Sequence, residues 1–235
     1  MSTRTGNRCG FTLVELLVVI TIIGILVTLV ITGVQVARRA AMRSKCAKYQ
    51  KEIGTALLHY ESRKGYFPGF INTLKNRRVS WVVTILEDID RKDLYDLWLL
   101  PAQPAGVRIP TLVCPVDSDA LVELAPLTYV VNFNIFRDRT DPKLATAMVT
   151  RTDMKAGQLT PMVSERVYTQ ALKVGPWTAI TQQNLTFTWP ASGTLTNIPL
   201  SSGHGNGAHI TFCDGHVDFV ADTINCADYI AGPAK

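Results

Sequence analysis

Glu15 is the one charged residue in residues 11–34, FTLVELLVVITIIGILVTLVITGV, a stretch otherwise rich in Leu, Ile and Val. A carboxylate in hydrocarbon costs about 2.5–3.5 kcal/mol on insertion scales, so it needs a cation, a proton or a route to the interface. It lies one helical turn into the run, where snorkelling toward the interface is open to it. A second set of reactive residue types comes near the end of the chain: His209, Thr211, Cys213, His216 and Asp218 share one face of two alternating segments. His, Cys and Asp are metal-ligand types. Asp117-Ser118-Asp119 offers the hard oxygens that calcium prefers. An ordinary polar sheet face and an Asp-rich turn explain these residues equally well, and no C-x-x-C or H-E-x-x-H spacing is present. The expectation is therefore no metal and no cofactor, with Asp117, Asp119, His209, His216 and Asp218 as weak candidates. No nucleophile-and-base arrangement stands out either, so no catalytic residue is expected and the chain is not read as an enzyme.

The elements that must hold these residues follow from composition and periodicity. With 235 residues, 47 % hydrophobic and 18 % charged, the chain is neither disordered nor a coiled-coil rod. Residues 1–10 carry Arg4 and Arg8 and no acid. The apolar run that follows is long enough, at about 1.5 Å per residue, to span a hydrocarbon core as a helix. A secretory signal would have a shorter apolar region, about 7–15 residues, ending in a small-residue cleavage site. No such site follows, so a lasting anchor is expected. Beyond it, Met42, Cys46, Tyr49, Ile53, Leu57 and Tyr60 recur every three or four residues, one stripe of a continuing helix. Arg63-Lys64-Gly65 and then Pro68 mark its end, giving one helix from about Thr12 to Ser62.

In the remaining body, Trp81 to Leu86 and Leu94 to Trp98 predict two short helices broken near Arg91. Thr111-Leu112-Val113, Thr128-Tyr129-Val130-Val131, Met162-Val163 and residues 185–189 predict strands, and residues 137–160 an exposed excursion. Asp214-Gly215 reads as a two-residue hairpin turn between alternating segments. Pairing Cys213 with His216 puts Ile210, Phe212, Val217 and Phe219 on one face, which is expected to pack on the long helix. The formal net charge of +5 is too modest to imply a nucleic-acid partner.

The stretch Cys9-Gly10-Phe11-Thr12-Leu13-Val14-Glu15 resembles the processing site of type IV prepilins and type II secretion pseudopilins. The resemblance implies cleavage by a membrane peptidase after Gly10 and methylation of Phe11. It also makes Glu15 the fifth mature residue, paired in an assembly with the Phe11 amine of a neighbouring subunit. Cleavage would remove two arginines and leave a net charge of +3. One pattern runs the other way. Arg38, Arg39, Arg43, Lys45, Lys48 and Lys51 follow the span, and the positive-inside rule would hold them in the cytoplasm. The resemblance places the body outside, and it is the more specific signal.

A second resemblance covers the body. His204, nine residues, then Asp214-Gly215 is similar to the H-x9-DG signature of a prepilin-type group abundant in planctomycete-like bacteria. Arg39-Ala40-Ala41, Cys46, Ile53-Gly54, Gly65-Tyr66-Phe67-Pro68, Ser80-Trp81, Cys114-Pro115, Tyr129, Asn132 and Glu165 match that group in order. For His204 the expected role is a hydrogen bond to the turn at Asp214. With Cys9 removed, Cys46, Cys114, Cys213 and Cys226 remain, and an even number outside the cytoplasm allows three bridge connectivities. The resemblance favours Cys46–Cys114, leaving Cys213–Cys226; buried reduced thiols are the alternative.

Together these readings give an α+β, pilin-like fold in which a long N-terminal helix, half transmembrane and half packed, lies against an antiparallel sheet with short extra helices. The expected layout is a leader over 1–10, a membrane segment over 11–34, a packed continuation over 35–65 and an extracytoplasmic body over 66–235. The resemblance implies a structural subunit of a type IV pilus or secretion pseudopilus, minor or specialised, held single-pass in the inner membrane. Its partners would be copies of itself or other pilin-like subunits, the prepilin peptidase, the inner-membrane assembly machinery and lipid. The alternative is a membrane-anchored ligand-binding or enzymatic domain that uses the prepilin segment only for targeting.

Overall fold

A computed structural model describes residues 13–102, 104–117, 125–141, 148–154, 159–166, 178, 186–187 and 203–229. Gly10, Phe11, Ser118 and Asp119 lie outside these residues. The chain divides into two compact units, Met1–Ala41 and Met42–Lys235.

Helix α1, Leu13–Lys64, begins in the first unit and ends in the second. Its residues 13–41 are exposed on every side, and the segment is long and apolar enough to cross a membrane. Its threonines suit that setting. Thr21, Thr28 and Thr32 donate their hydroxyls to the carbonyls of Val18, Gly24 and Leu29 at 2.8–2.9 Å, so these three hydroxyls are satisfied within the helix. Glu15 lies in the first turn, where the helix dipole favours a negative charge.

In the second unit, α1 buries Cys46, Gln50, Ile53, Gly54, Ala56, Leu57 and Glu61. The expected apolar stripe is there at Cys46, Ile53 and Leu57. Gln50, Gly54 and Glu61 join it because each meets a specific partner. The helix stops at Gly65, whose φ of +80° suits glycine and whose N–H bonds the Glu61 carbonyl at 2.7 Å.

Strands β1 (Ile71–Leu74) and β2 (Arg77–Ser80) form a hairpin that the sequence pattern did not announce. Lys75 and Asn76 both take positive φ in its two-residue turn, a conformation usually signalled by Asn-Gly or Asp-Gly. Helices α2 (Trp81–Ile85) and α3 (Lys92–Leu99) match the two expected short helices, with a 3-10 turn at Glu87–Ile89 between them. Thr111-Leu112-Val113 is not a strand. Pro110 fixes the first position of a 3-10 turn, Pro110–Leu112, and cannot donate to a ladder.

Among the described residues, the main sheet has five strands in the order β5-β3-β4-β6-β7. These are β3 (Tyr129–Asn132), β4 (Pro161–Glu165), β5 (Thr186–Phe187), β6 (Gly207–Phe212) and β7 (Val217–Ala221). All neighbours are antiparallel except β3 and β5, which makes the sheet mixed. Residues 137–160 are not simply exposed: Val149 and Met154 are buried, and the Arg139 guanidinium donates to the Phe67 carbonyl at 2.9 Å.

The face assignment of the last hairpin is corrected. Thr211 pairs with Val217 and His209 with Phe219, one residue out of the expected register. The loop has three residues, Cys213, Asp214 and Gly215: Phe212 and His216 face each other, and Gly215 closes the turn at φ +91°. Because side chains alternate, a one-residue slip exchanges faces on one strand. His209 and Thr211 therefore face α1, and both are buried, as is Cys213 in the loop. Ile210, Phe212 and Val220 form a separate apolar cluster with Val130, Phe187 and Cys226.

Candidate functional site

Across the helix-facing side of the sheet, one row of residues runs from strand to strand. Tyr129 on β3 is the register partner of Glu165 on β4. Glu165 accepts a 3.0 Å contact from His209 Nδ1 on β6, and His209 pairs with Phe219 on β7, ring centroids 5.2 Å apart. Above Phe219 sits the Arg43 guanidinium of α1, 3.5 Å from the ring centroid. This placement covers an aromatic face with a cation and accounts for one of the six basic residues of the helix. Lys51 is accounted for by its 2.7 Å bond to the Gly215 carbonyl, and Lys48 by Glu52 at 3.5 Å.

Three further side chains close on this row. Cys46 comes from α1, Cys114 from the segment after the 3-10 turn, and His204 from the approach to β6. The Cys46 and Cys114 sulfurs are 2.7 Å apart, and the Tyr129 hydroxyl is 3.1 Å from Cys46 Sγ. His204 Nε2 stands 3.4 Å from Cys114 Sγ and 3.7 Å from Glu165 Oε1. The cysteines are buried, Glu165 is 1 % exposed and the His204 side chain 3 %. Cys114 is fixed from its backbone as well, its N–H donating to Thr128 Oγ1 at 2.6 Å.

The electrostatics follow from these contacts. The hydrogen bond between the two thiols pushes Cys46 far up, with burial adding to it, and the same bond holds Cys114 below the ordinary thiol value against the pull of burial. Burial pulls the His204 imidazole down, but Cys114 and Glu165 together raise it. Burial also drives the Tyr129 hydroxyl well above its usual range.

The sequence candidates are distributed as follows. Cys46 and Cys114, the pair favoured by resemblance, are brought together, both as thiols. Cys213 and Cys226 fall in two different apolar clusters, an arrangement that does not support their pairing. Among the described contacts, His204 reaches Cys114 and Glu165 and not the turn at Asp214. Asp214 is served by His216, through its backbone N–H at 3.0 Å and its ring Nδ1 at 2.5 Å. Asp218 is exposed, Asp117 is 2 % exposed, and Asp119 lies outside the described residues. Of the weak metal candidates, His209 touches the cluster, through Glu165. The convergence of Cys46, Cys114, Glu165 and His204 went unread in the sequence, although each residue was singled out for another reason. The available signal was that all four are ligand types within one ordered set of motifs. A cleft elsewhere in the body, lined by Tyr60, Tyr66, Tyr95 and Arg139 among others, includes none of them.

Residues 5–31 match the family model described as the prokaryotic N-terminal methylation motif. Residues 35–152 and 134–227 match the model described as a protein of unknown function, DUF1559. No curated protein and no solved structure shows significant similarity to the chain. The matched motif spans Gly10 to Glu15, and an apolar helix long enough to cross a membrane begins within it at Leu13. With the second model spanning well over half its length, the chain belongs to the DUF1559 family and bears a prepilin-type N-terminal methylation motif.

Proposed function

We propose that the protein is a structural, non-catalytic pilin-like subunit, cleaved after Gly10, methylated at Phe11 and assembled through α1. The observation that carries this reading is the methylation motif over residues 5–31, within which an exposed apolar helix begins with Glu15 in its first turn. Before assembly the body lies outside the cytoplasm and the helix is held single-pass in the inner membrane. Its partners are the prepilin peptidase, the assembly machinery and further pilin-like subunits. The subunit is a minor or specialised one of a type IV pilus or a secretion pseudopilus. The ordered match of His204, Asp214 and Gly215 with the other body motifs supports a place in the H-x9-DG group.

The physical logic rests on Glu15. Alone in lipid, its carboxylate is relieved by protonation or by reaching the interface. In an assembly, the Phe11 amine freed by cleavage is a cation at the right depth, and pairing removes that penalty while fixing the register of adjacent helices. Glu15→Leu and Glu15→Gln test this by fractionation of membrane-held and sheared-filament pools. Both variants are expected to insert and to be cleaved after Gly10 yet to be depleted from filaments. Wild-type assembly by both would favour an anchored domain that uses the motif for targeting alone.

A further inference from the structure

We propose that Cys46, Cys114, Glu165 and His204 form a closed zinc site that fastens α1 to the sheet. One ligand atom from each residue lies within 4.8 Å of all the others. At the usual zinc–ligand lengths, the corners of a tetrahedral site are about 3.3–3.8 Å apart. The separations from Cys114 Sγ to His204 Nε2, 3.4 Å, and from that nitrogen to Glu165 Oε1, 3.7 Å, already have this spacing. The two sulfurs, 2.7 Å apart, must part by about 1 Å to take up two corners, a small rotation about χ1 of either cysteine.

The donor set selects the ion. Two sulfurs and an imidazole are too soft, and one carboxylate too few oxygens, for calcium or magnesium. They suit a borderline-soft divalent cation, and four protein ligands leave no open position, the mark of a structural rather than a hydrolytic zinc. The surrounding shell is also in place. His209 Nδ1 holds Glu165 at 3.0 Å and the Tyr129 hydroxyl sits 3.1 Å from Cys46 Sγ, so a ligand on the sheet and a ligand on the helix are both oriented.

Two other uses of these residues fit less well. A Cys-His-acid relay contacts sulfur through one ring nitrogen and the carboxylate through the other. Here both contacts run through His204 Nε2, so the groups converge on a point. A Cys46–Cys114 disulfide would engage only two of the four converging groups, with Glu165 and His204 paired beside it at 3.7 Å.

The test uses the full-length chain, extracted in detergent without reductant or chelator. Zinc is measured by plasma mass spectrometry, and cysteines are alkylated in denaturant before any reduction. About one zinc per chain is expected, with Cys46 and Cys114 both alkylated. Cobalt exchanged into the site should give a thiolate-to-cobalt charge-transfer band and tetrahedral d–d bands. His204→Ala and Cys114→Ser should lower zinc at least tenfold, whereas His216→Ala should keep it. A Cys46–Cys114 disulfide without zinc, or zinc undiminished in both variants, overturns the proposal. Where a variant fails to fold, the wild-type cobalt spectrum decides, and absence of the thiolate band rejects the site.

Discussion

Gln50 of α1 and Thr211 of β6, 161 residues apart in sequence, share a 3.0 Å hydrogen bond in which the Thr211 hydroxyl donates to Gln50 Oε1. The other end of the same carboxamide donates to the His209 carbonyl at 2.8 Å. A buried amide thus satisfies a backbone acceptor and a side-chain hydroxyl on the strand beneath it. That explains a polar residue in the buried stripe of the helix. Gln50→Leu keeps the bulk, strands the His209 carbonyl and leaves the Thr211 hydroxyl only its 3.3 Å contact with the Gln50 backbone carbonyl. The expected loss is on the order of 2–3 kcal/mol, read as a lower denaturation midpoint in detergent.

Gly54, one turn further along, lets the helix come close to the same threonine. A Cβ there would lie 2.5 Å from Thr211 Cγ2. Thr211 cannot simply rotate away, because its χ1 is stiff and its hydroxyl is engaged by Gln50. Gly54→Ala gains helix propensity but forces the elements apart. A net destabilisation of about 1–3 kcal/mol is expected, checked by thermal melting. An unchanged or raised melting temperature would contradict this packing.

Asp214 links the final turn to pH. Burial raises its carboxyl, but the backbone and ring N–H groups of His216 lower it further, so its folded pKa lies below the ordinary value. A depressed carboxyl contributes stability above the unfolded pKa, about 3.9, and loses it as pH falls through the lower folded value. Asp214→Asn should therefore be less stable than wild type at neutral pH, with the difference shrinking as pH falls below about 4 toward the lower folded value. Melting curves from pH 3 to 8 check this, and a gap that is undiminished at the acid end would show a purely steric effect. In the same turn, Gly215→Ala is expected to be worse, since φ is +91° there and a Cβ would meet Leu58 Cδ1 at 2.8 Å.

Processing is read most directly from mass. In cells with a prepilin peptidase, the membrane-held chain should begin at Phe11 and carry one added methyl group. A bulky substitution at Gly10 should leave residues 1–10 attached. Intact-mass analysis distinguishes the outcomes, and wild-type protein that retains Met1 would contradict the processing.

What was legible in the sequence is what short-range physics controls. The apolar run, the cations before it, Glu15 within it and the 3.6-residue stripe beyond it are local patterns, and they gave a helix that the structure extends from Leu13 to Lys64. The two short helices around Arg91 and the strands at Tyr129 and Met162 follow from equally local spacing. Tertiary packing decided the rest. Pro110 turned an apparent strand into a 3-10 turn, and Lys75-Asn76 made a hairpin without its usual residues. At the last hairpin, the choice of a three-residue over a two-residue loop exchanged the faces and sent the residues with polar or sulfur groups inward. Register of this kind depends on which face finds a partner, and Thr211 found Gln50 on the helix. The cluster shows the same division. Cys46 and Cys114 are separated by 68 residues and Cys114 and His204 by 90. Their types were plain from the sequence, but only a helix laid across strands brings such distant side chains together, because convergence depends on packing and no short-range spacing encodes it.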